Sequence, residues 1–198
     1  MSDHPTPSAF SKFYQATAGR PPRELYRQTV IRFEQPGFAV DLGCGAGIET
    51  ADLLERGWRV LAVDGQAEAI DLLRARVGPE FQERLETRVA HFAILELPPA
   101  DFIWAGLSLP FCPPEHFDAV WSRIMAALRP GGRFAGDLFG IRHAWAGRSG
   151  ITVHSSDAVR RLCQPLRLEY FIEEEGERQT VAEGVQHWHG FGIVARKG

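Results

Sequence analysis

Phe38-Ala39-Val40-Asp41-Leu42-Gly43-Cys44-Gly45-Ala46-Gly47 is an apolar run carrying one acid, and it passes through a glycine loop into a helical stretch over residues 48–56. A run this short and this continuous reads as a strand covered on both faces, as parallel sheets require. The glycines permit a tight backbone turn and let a ligand approach main chain with no Cβ in the way. Gly57 stops the helix, Arg59-Val60-Leu61-Ala62-Val63-Asp64 is a second apolar strand ending in a carboxylate, and residues 67–77 are helical again before Gly78-Pro79. The unit is βαβα.

Working outward, residues 24–33 carry Leu25, Val30, Ile31 and Phe33 at a loose helical spacing closed by Pro36-Gly37, and are expected to form a lid helix within an N-terminal lid segment, residues 1–36. Toward the C-terminus, strands are expected at residues 85–90, 101–106 and, after the Pro130-Gly131-Gly132 turn, 133–139, with helices at 114–128 and 156–163. Two last strand-like runs, 167–173 and 185–195, are separated by polar residues. Strands alternating with helices pack as a parallel sheet joined by right-handed crossovers. The expected fold class is therefore doubly wound α/β, with a mostly parallel seven-stranded sheet and a C-terminal antiparallel hairpin. The acidic run Glu173-Glu174-Glu175-Gly176-Glu177 is read as a solvated hairpin turn. At about 150 residues per domain and with no Ser/Gly/Pro-rich linker, residues 1–198 make a single domain.

Composition removes several functions. Twenty-two basic residues against 25 acidic ones leave a formal charge of -3, without the basic excess that binding to nucleic acid needs. No run approaches the roughly 18 apolar residues of a membrane span, and the N-terminus lacks the basic and apolar regions of a signal peptide, so a cytoplasmic location is expected. Cys44, Cys112 and Cys163 are odd in number and far apart, and are read as reduced thiols, with Cys112 in a packing or loop role. His187 and His189 share one face of a strand but have no third ligand at metal-binding spacing, so no metal is expected. That face is read as polar and partly exposed, and Trp188 between them as a core residue.

In open α/β sheets, ligands sit beyond the carboxyl ends of the strands where strand order reverses. Asp64 at such an end can accept both hydroxyl protons of a ribose. A dinucleotide loop, G-x-G-x-x-G, would need its third glycine at position 48, which is Ile48, and this weakens the alternative of a nicotinamide-dependent oxidoreductase.

With G-x-G-x-G at 43–47 and an acid two residues ahead of it, the chain resembles the class I S-adenosylmethionine-dependent methyltransferases. Val40 to Gly47 looks like the family's first motif, Val63-Asp64 like its second-strand acid, and Leu128-Arg129-Pro130-Gly131-Gly132 like the turn before its fifth strand. His187-Trp188-His189 and Ala18-Gly19-Arg20-Pro21-Pro22-Arg23 are similar to a small bacterial subgroup near tellurite-resistance methyltransferases. The resemblance implies a Rossmann-like fold and S-adenosylmethionine held by Asp41, Gly43, Gly45, Gly47, Asp64 and Gly65, with Leu107 beyond the fourth strand. It also implies a methyl group passed in line to a small-molecule acceptor, and a non-catalytic S-adenosylmethionine-binding protein is the remaining alternative. The acid that often follows strand three is absent from Val89-Ala90-His91-Phe92, so a backbone amide and the ring of His91 or Phe92 would take its place against adenine. Arg20 would grip the methionine carboxylate while Tyr14 caps the site. Leu109-Pro110-Phe111-Cys112-Pro113-Pro114-Glu115 has no amide to hold an amino group, which speaks against nucleobase N-methylation. No catalytic residue is assigned. A hydroxyl or amine acceptor would need a base, for which His143, His154 and His187 are candidates, whereas a thiolate or metalloid anion needs none.

Overall fold

Apolar runs of five or six residues separated by glycine or proline turns line up as the inner strands of a single sheet. The computed structural model describes residues 7–181 and 183–198. It holds helices α1 (Pro7–Thr17), α2 (Glu24–Val30), α3 (Ile48–Glu55), α4 (Ala67–Arg76), α5 (Pro114–Ala127) and α6 (Ser156–Cys163). The strands are β1 (Phe38–Leu42), β2 (Arg59–Asp64), β3 (Leu85–Val89), β4 (Ala100–Ala105), β5 (Leu128–Gly140), β6 (Val153–His154), β7 (Leu166–Thr180) and β8 (Gly184–Lys197). Their order is β3-β2-β1-β4-β5-β8-β7, and β6 pairs with β5. The first five strands are parallel, β8 runs antiparallel to β5, and β7 antiparallel to β8. The sheet is thus eight-stranded, because the two-residue β6, too short to leave a pattern in sequence, adds to the seven expected.

Order reverses between β1 and β4, where Val40 pairs with Leu61 on one side and Ile103 on the other. Alternate residues feed two cores. Val40, Leu42, Ile103, Phe134 and Ile193 pack under α5 and α6. Ala39, Phe102, Trp104, Ala135 and Val194 pack under α2, α3 and α4. Among the described residues no helix is long and apolar enough to cross a membrane.

Two expectations are corrected. Residues 24–30 are not a lid: Tyr26, Thr29 and Val30 form a buried face, and the Tyr26 ring lies 5.6 Å from Trp104 while its hydroxyl donates to Asp52 at 2.7 Å. Ile31, one of the apolar residues in the expected spacing, caps the end of the helix and is 73% exposed. The cover over the carboxyl end is α1 instead. The acidic run is not a turn either. It lies inside β7, where Glu175 pairs with His189 and Glu177 with His187, and the chain reverses between Thr180 and Gly184. Its carboxylates meet cations there, Arg142 Nε donating to Glu175 at 2.7 Å and His187 standing between Glu175 and Glu177.

Candidate functional site

β1 ends in a loop that only glycine can follow. Gly43 and Gly47 have φ of 75° and 76°, and a Cβ on them would stand 2.3 Å from Ser108 Cβ and 2.1 Å from Leu73 Cδ1. Both steric room and backbone sign therefore demand glycine. The loop reaches the end of β2, where the nearly buried Asp64 carboxylate accepts the N–H groups of Gly45 and Gln66, each at 2.9 Å. Burial raises the pKa of Asp64, and the N–H groups of Gln66 and Gly45 oppose the rise. Gly65 follows directly, with the His91 ring 3.3 Å from where its Cβ would be.

Tyr14 comes down from α1 onto this loop. Its ring covers Gly45, and its hydroxyl lies 3.5 Å from Asp64. Burial, with the Asp64 charge second, pushes its pKa far up, so the phenol keeps its proton. Beside it a cleft of about 40 Å³ runs between Tyr14, Arg20, Arg23, Glu49, Trp104 and the glycine loop. Arg20 faces this cleft but is already engaged: its guanidinium makes a bidentate ion pair with Glu49 at 2.7 and 2.9 Å, and Glu49 also accepts the Arg23 N–H at 3.0 Å. That pair latches the segment between α1 and α2 onto α3.

The other expected residues are distributed unevenly. Asp41 is 1% exposed and accepts the Thr50 hydroxyl at 2.6 Å; it ties β1 to α3 and does not line the cleft. Burial pushes its pKa up to about 7. Phe92 packs toward α5, where Arg123 donates to its carbonyl at 3.0 Å, so of the two rings after β3 it is His91 that stands near the Asp64 turn. Leu107 adopts φ of 53°, unusual for a side chain with a Cβ, and its N–H donates to Asp137 Oδ2 at 3.1 Å.

Asp137 opens a second cleft of about 80 Å³, walled by Arg23, Leu107, Glu174, Arg178 and Trp188. Neither Asp137 nor Arg23 was singled out from sequence, although an acid inside the apolar strand residues 133–139 is a usable signal. Burial raises the Asp137 pKa to about 6. Trp188 is only half-buried and carries Arg178 4.8 Å above its ring, so it belongs to this cleft and not to the core as expected. His189 departs from the expected exposed face: it is 1% exposed, its Nδ1 accepts the Arg142 N–H at 3.0 Å, and Nε2 faces Glu173 at 3.0 Å.

The candidate bases lie elsewhere. His143 stacks on Phe139 at 3.8 Å, and burial lowers its pKa to about 4. His154 sits 4.5 Å from the Phe117 ring with its pKa also lowered by burial. His187 is on the hairpin between two glutamates that raise its pKa. None of the three lines either cleft. All three cysteines are buried thiols, and burial pushes Cys112 up to about 11, as suits a packing role.

Residues 39–132 match the family model described as a methyltransferase domain. The carboxy-S-adenosyl-L-methionine synthase of Pseudomonas putida is 39% identical over 111 residues, 51% of this chain and 45% of that protein. The chain thus spans about half the length of the curated relatives it matches. TehB from Haemophilus influenzae superposes with a TM-score of 0.77 at 18% identity, covering 96% of this chain and 66% of TehB. A Burkholderia thailandensis 1,6-didemethyltoxoflavin-N1-methyltransferase, solved with 1,6-didemethyltoxoflavin and S-adenosylhomocysteine, gives 0.69 at 23% identity, covering 96% of this chain and 86% of its own.

Proposed function

We propose that this chain, which is similar to methyltransferases over residues 39–132, is a class I S-adenosylmethionine-dependent methyltransferase that binds S-adenosylmethionine over the carboxyl ends of β1 and β2 and passes the methyl group to a small-molecule acceptor. The observation that carries this reading is the meeting of Gly45 and Asp64, a bare backbone and a carboxylate, at the reversal of strand order.

The donor set fits the cofactor. Asp64 accepts two backbone N–H groups and has lone pairs to spare for ribose hydroxyls, which its bond to Tyr14 already imitates. Room is the constraint, because about 40 Å³ falls well short of a nucleoside with an amino-acid tail. Entry therefore requires α1 to lift, taking Tyr14 off Asp64. Among the described residues the polar contacts to be released include Tyr14 to Asp64, Ser11 to Glu68, and Arg76 Nη2 to the Ala18 carbonyl at 2.8 Å, together with the packing of Phe10, Phe13 and Tyr14 against Ala46, Ala69 and Phe111.

The bound cofactor supplies a methyl group on a positively charged sulfur, already activated for displacement. The chain's own work is to orient and to keep water out. Asp64 fixes the sugar, the glycine loop lies along the tail, and α1 closes over both. Relatives and neighbours whose names specify small acceptors, trans-aconitate 2-methyltransferase and the toxoflavin enzyme, support an acceptor of that size. Isothermal titration with S-adenosylhomocysteine tests the reading: binding is expected, and folded protein that takes up neither S-adenosylmethionine nor its demethylated product would overturn it.

A further inference from the structure

β5 carries one acid into its carboxyl end. Asp137 pairs across the sheet with Gly192 and lies on the face of Ala135 and Val194, beneath the segment that joins α1 to α2. Its carboxylate accepts a single described hydrogen bond, from the N–H of Leu107, and so keeps lone pairs toward the second cleft. Across that cleft stands Arg23. Arg178, its neighbour in the wall, is satisfied by Glu174 at 2.8 Å and by the Trp188 ring. Arg23 differs: its backbone N–H donates to Glu49 and its carbonyl accepts from Arg27, while among the described residues its half-buried guanidinium has no hydrogen-bond acceptor. A half-buried guanidinium with five donors and no protein acceptor is free to hold an anion at the cleft wall. Arg23 also lines the glycine-loop cleft, so the two spaces meet at this residue.

We propose that the second cleft is the acceptor site, where Asp137 takes the proton of an amine nucleophile and Arg23 holds an acidic group on the same small molecule. This rests on the methyl-donor reading above. The charged groups acting on Asp137 are Arg23 from the start of α2, Glu174 from β7 and Glu49 from α3, together with the Leu107 amide. Burial outweighs Arg23 and Leu107 and leaves the carboxylate titrating near 6, close to the pH at which a base is most useful. An amine holds its proton with a pKa of roughly 10, within reach of such a base, whereas an aliphatic hydroxyl holds its own far more tightly. A carboxylate acceptor would need no base and would be repelled by Asp137 and Glu174. The complement of an acid facing an unmet guanidinium is a zwitterion.

The ammonium gives one proton to the Asp137 carboxylate, and the nitrogen lone pair forms a bond to the methyl carbon. The carbon–sulfur bond breaks with its electron pair staying on the sulfur of the sulfonium donor. The product leaves as an N-methylammonium, and Asp137 returns its proton to water.

The probes are β-alanine, ethylamine and propionate, offered with methyl-labelled S-adenosylmethionine, alongside calorimetry with S-adenosylhomocysteine. Label is expected in β-alanine, at least tenfold less in ethylamine by kcat/KM, and none in propionate. Asp137→Asn keeps an oxygen for the Leu107 N–H; it is expected to bind S-adenosylhomocysteine like the parent, lose about 100-fold in kcat/KM, and lose the rise in rate through pH 6. Arg23→Gln is expected to raise KM for β-alanine by a larger factor than it weakens the binding of S-adenosylhomocysteine, whose cleft its side chain also borders. The proposal is overturned if propionate is labelled as well as β-alanine, if no probe is labelled by protein that binds S-adenosylhomocysteine, or if Asp137→Asn keeps its rate and pH profile. An unchanged KM for β-alanine in Arg23→Gln would overturn the role given to Arg23. Absence of S-adenosylhomocysteine binding in the parent would instead sink the donor reading, and the acceptor site with it.

Discussion

The Tyr14 hydroxyl lies 3.5 Å from the carboxylate of Asp64, so α1 occupies the group assigned to the ribose. Closure of the cover and capture of the sugar use the same carboxylate. A bound ribose must share this carboxylate with the phenol or displace it.

Replacing Tyr14 with Phe leaves the ring over Gly45 and removes only the contest for Asp64. The association rate of S-adenosylhomocysteine is expected to rise severalfold, read by stopped-flow tryptophan fluorescence, since Trp104 borders the cleft. A slower association would mean that the hydroxyl serves the bound state instead.

Asp64→Ala removes the acceptor for both ribose hydroxyls and for two backbone N–H groups. A hydrogen bond to a charged group contributes about 1.5–3 kcal/mol, so S-adenosylhomocysteine should bind roughly 10- to 100-fold more weakly by calorimetry. Affinity equal to the parent's would remove Asp64 from the site.

Asp41 titrates near 7 in the folded chain because of its burial, against an ordinary carboxylate value of 3.8. The folded state then holds a proton that the unfolded state has released, so this group's contribution is full below pH 3.8 and declines as pH rises toward 7. Asp137, raised to about 6, acts in the same direction. Asp41→Asn is expected to flatten the dependence, gaining on the order of 2 kcal/mol over the parent at pH 8 in urea unfolding and little at pH 4. Equal pH slopes for variant and parent would contradict it.

Arg20→Ala leaves Glu49 buried without its counter-charge, since the Glu49 side chain is 5% exposed and that of Arg20 26%. Breaking such a pair costs about 3–5 kcal/mol when fully buried, and roughly 2 kcal/mol is expected with Arg20 partly in water. Limited proteolysis should then cut near residues 18–23 faster. Adding Glu49→Gln should recover most of the loss; a double variant as unstable as the single one would mean the latch is not electrostatic.

The inner sheet was legible because continuous apolar runs report burial on both faces, and the structure puts β1, β2, β3 and α6 at or within a residue of their expected bounds. The glycine loop and Asp64 were equally readable, since backbone sign and strand-end chemistry are local properties. α2 was misread because Tyr26 and Thr29, counted as polar, form the buried face. The hairpin was cut short because the partners that settle Glu173 and Glu175 in a strand, Arg142 and His189, lie more than ten residues away. Arg23 and Asp137 share no motif, and 114 positions apart only the folded sheet brings them to one cleft.

β7 is the last strand of the sheet, and at 15 residues its outer margin is an open template for another chain. Glu173, Glu174, Glu175 and Glu177 line that strand with side chains already tied to Arg142, Arg178, His187 and His189, and a second strand laid along it would have to accommodate these pairs. Charged side chains of this kind blunt an edge strand that would otherwise stand open.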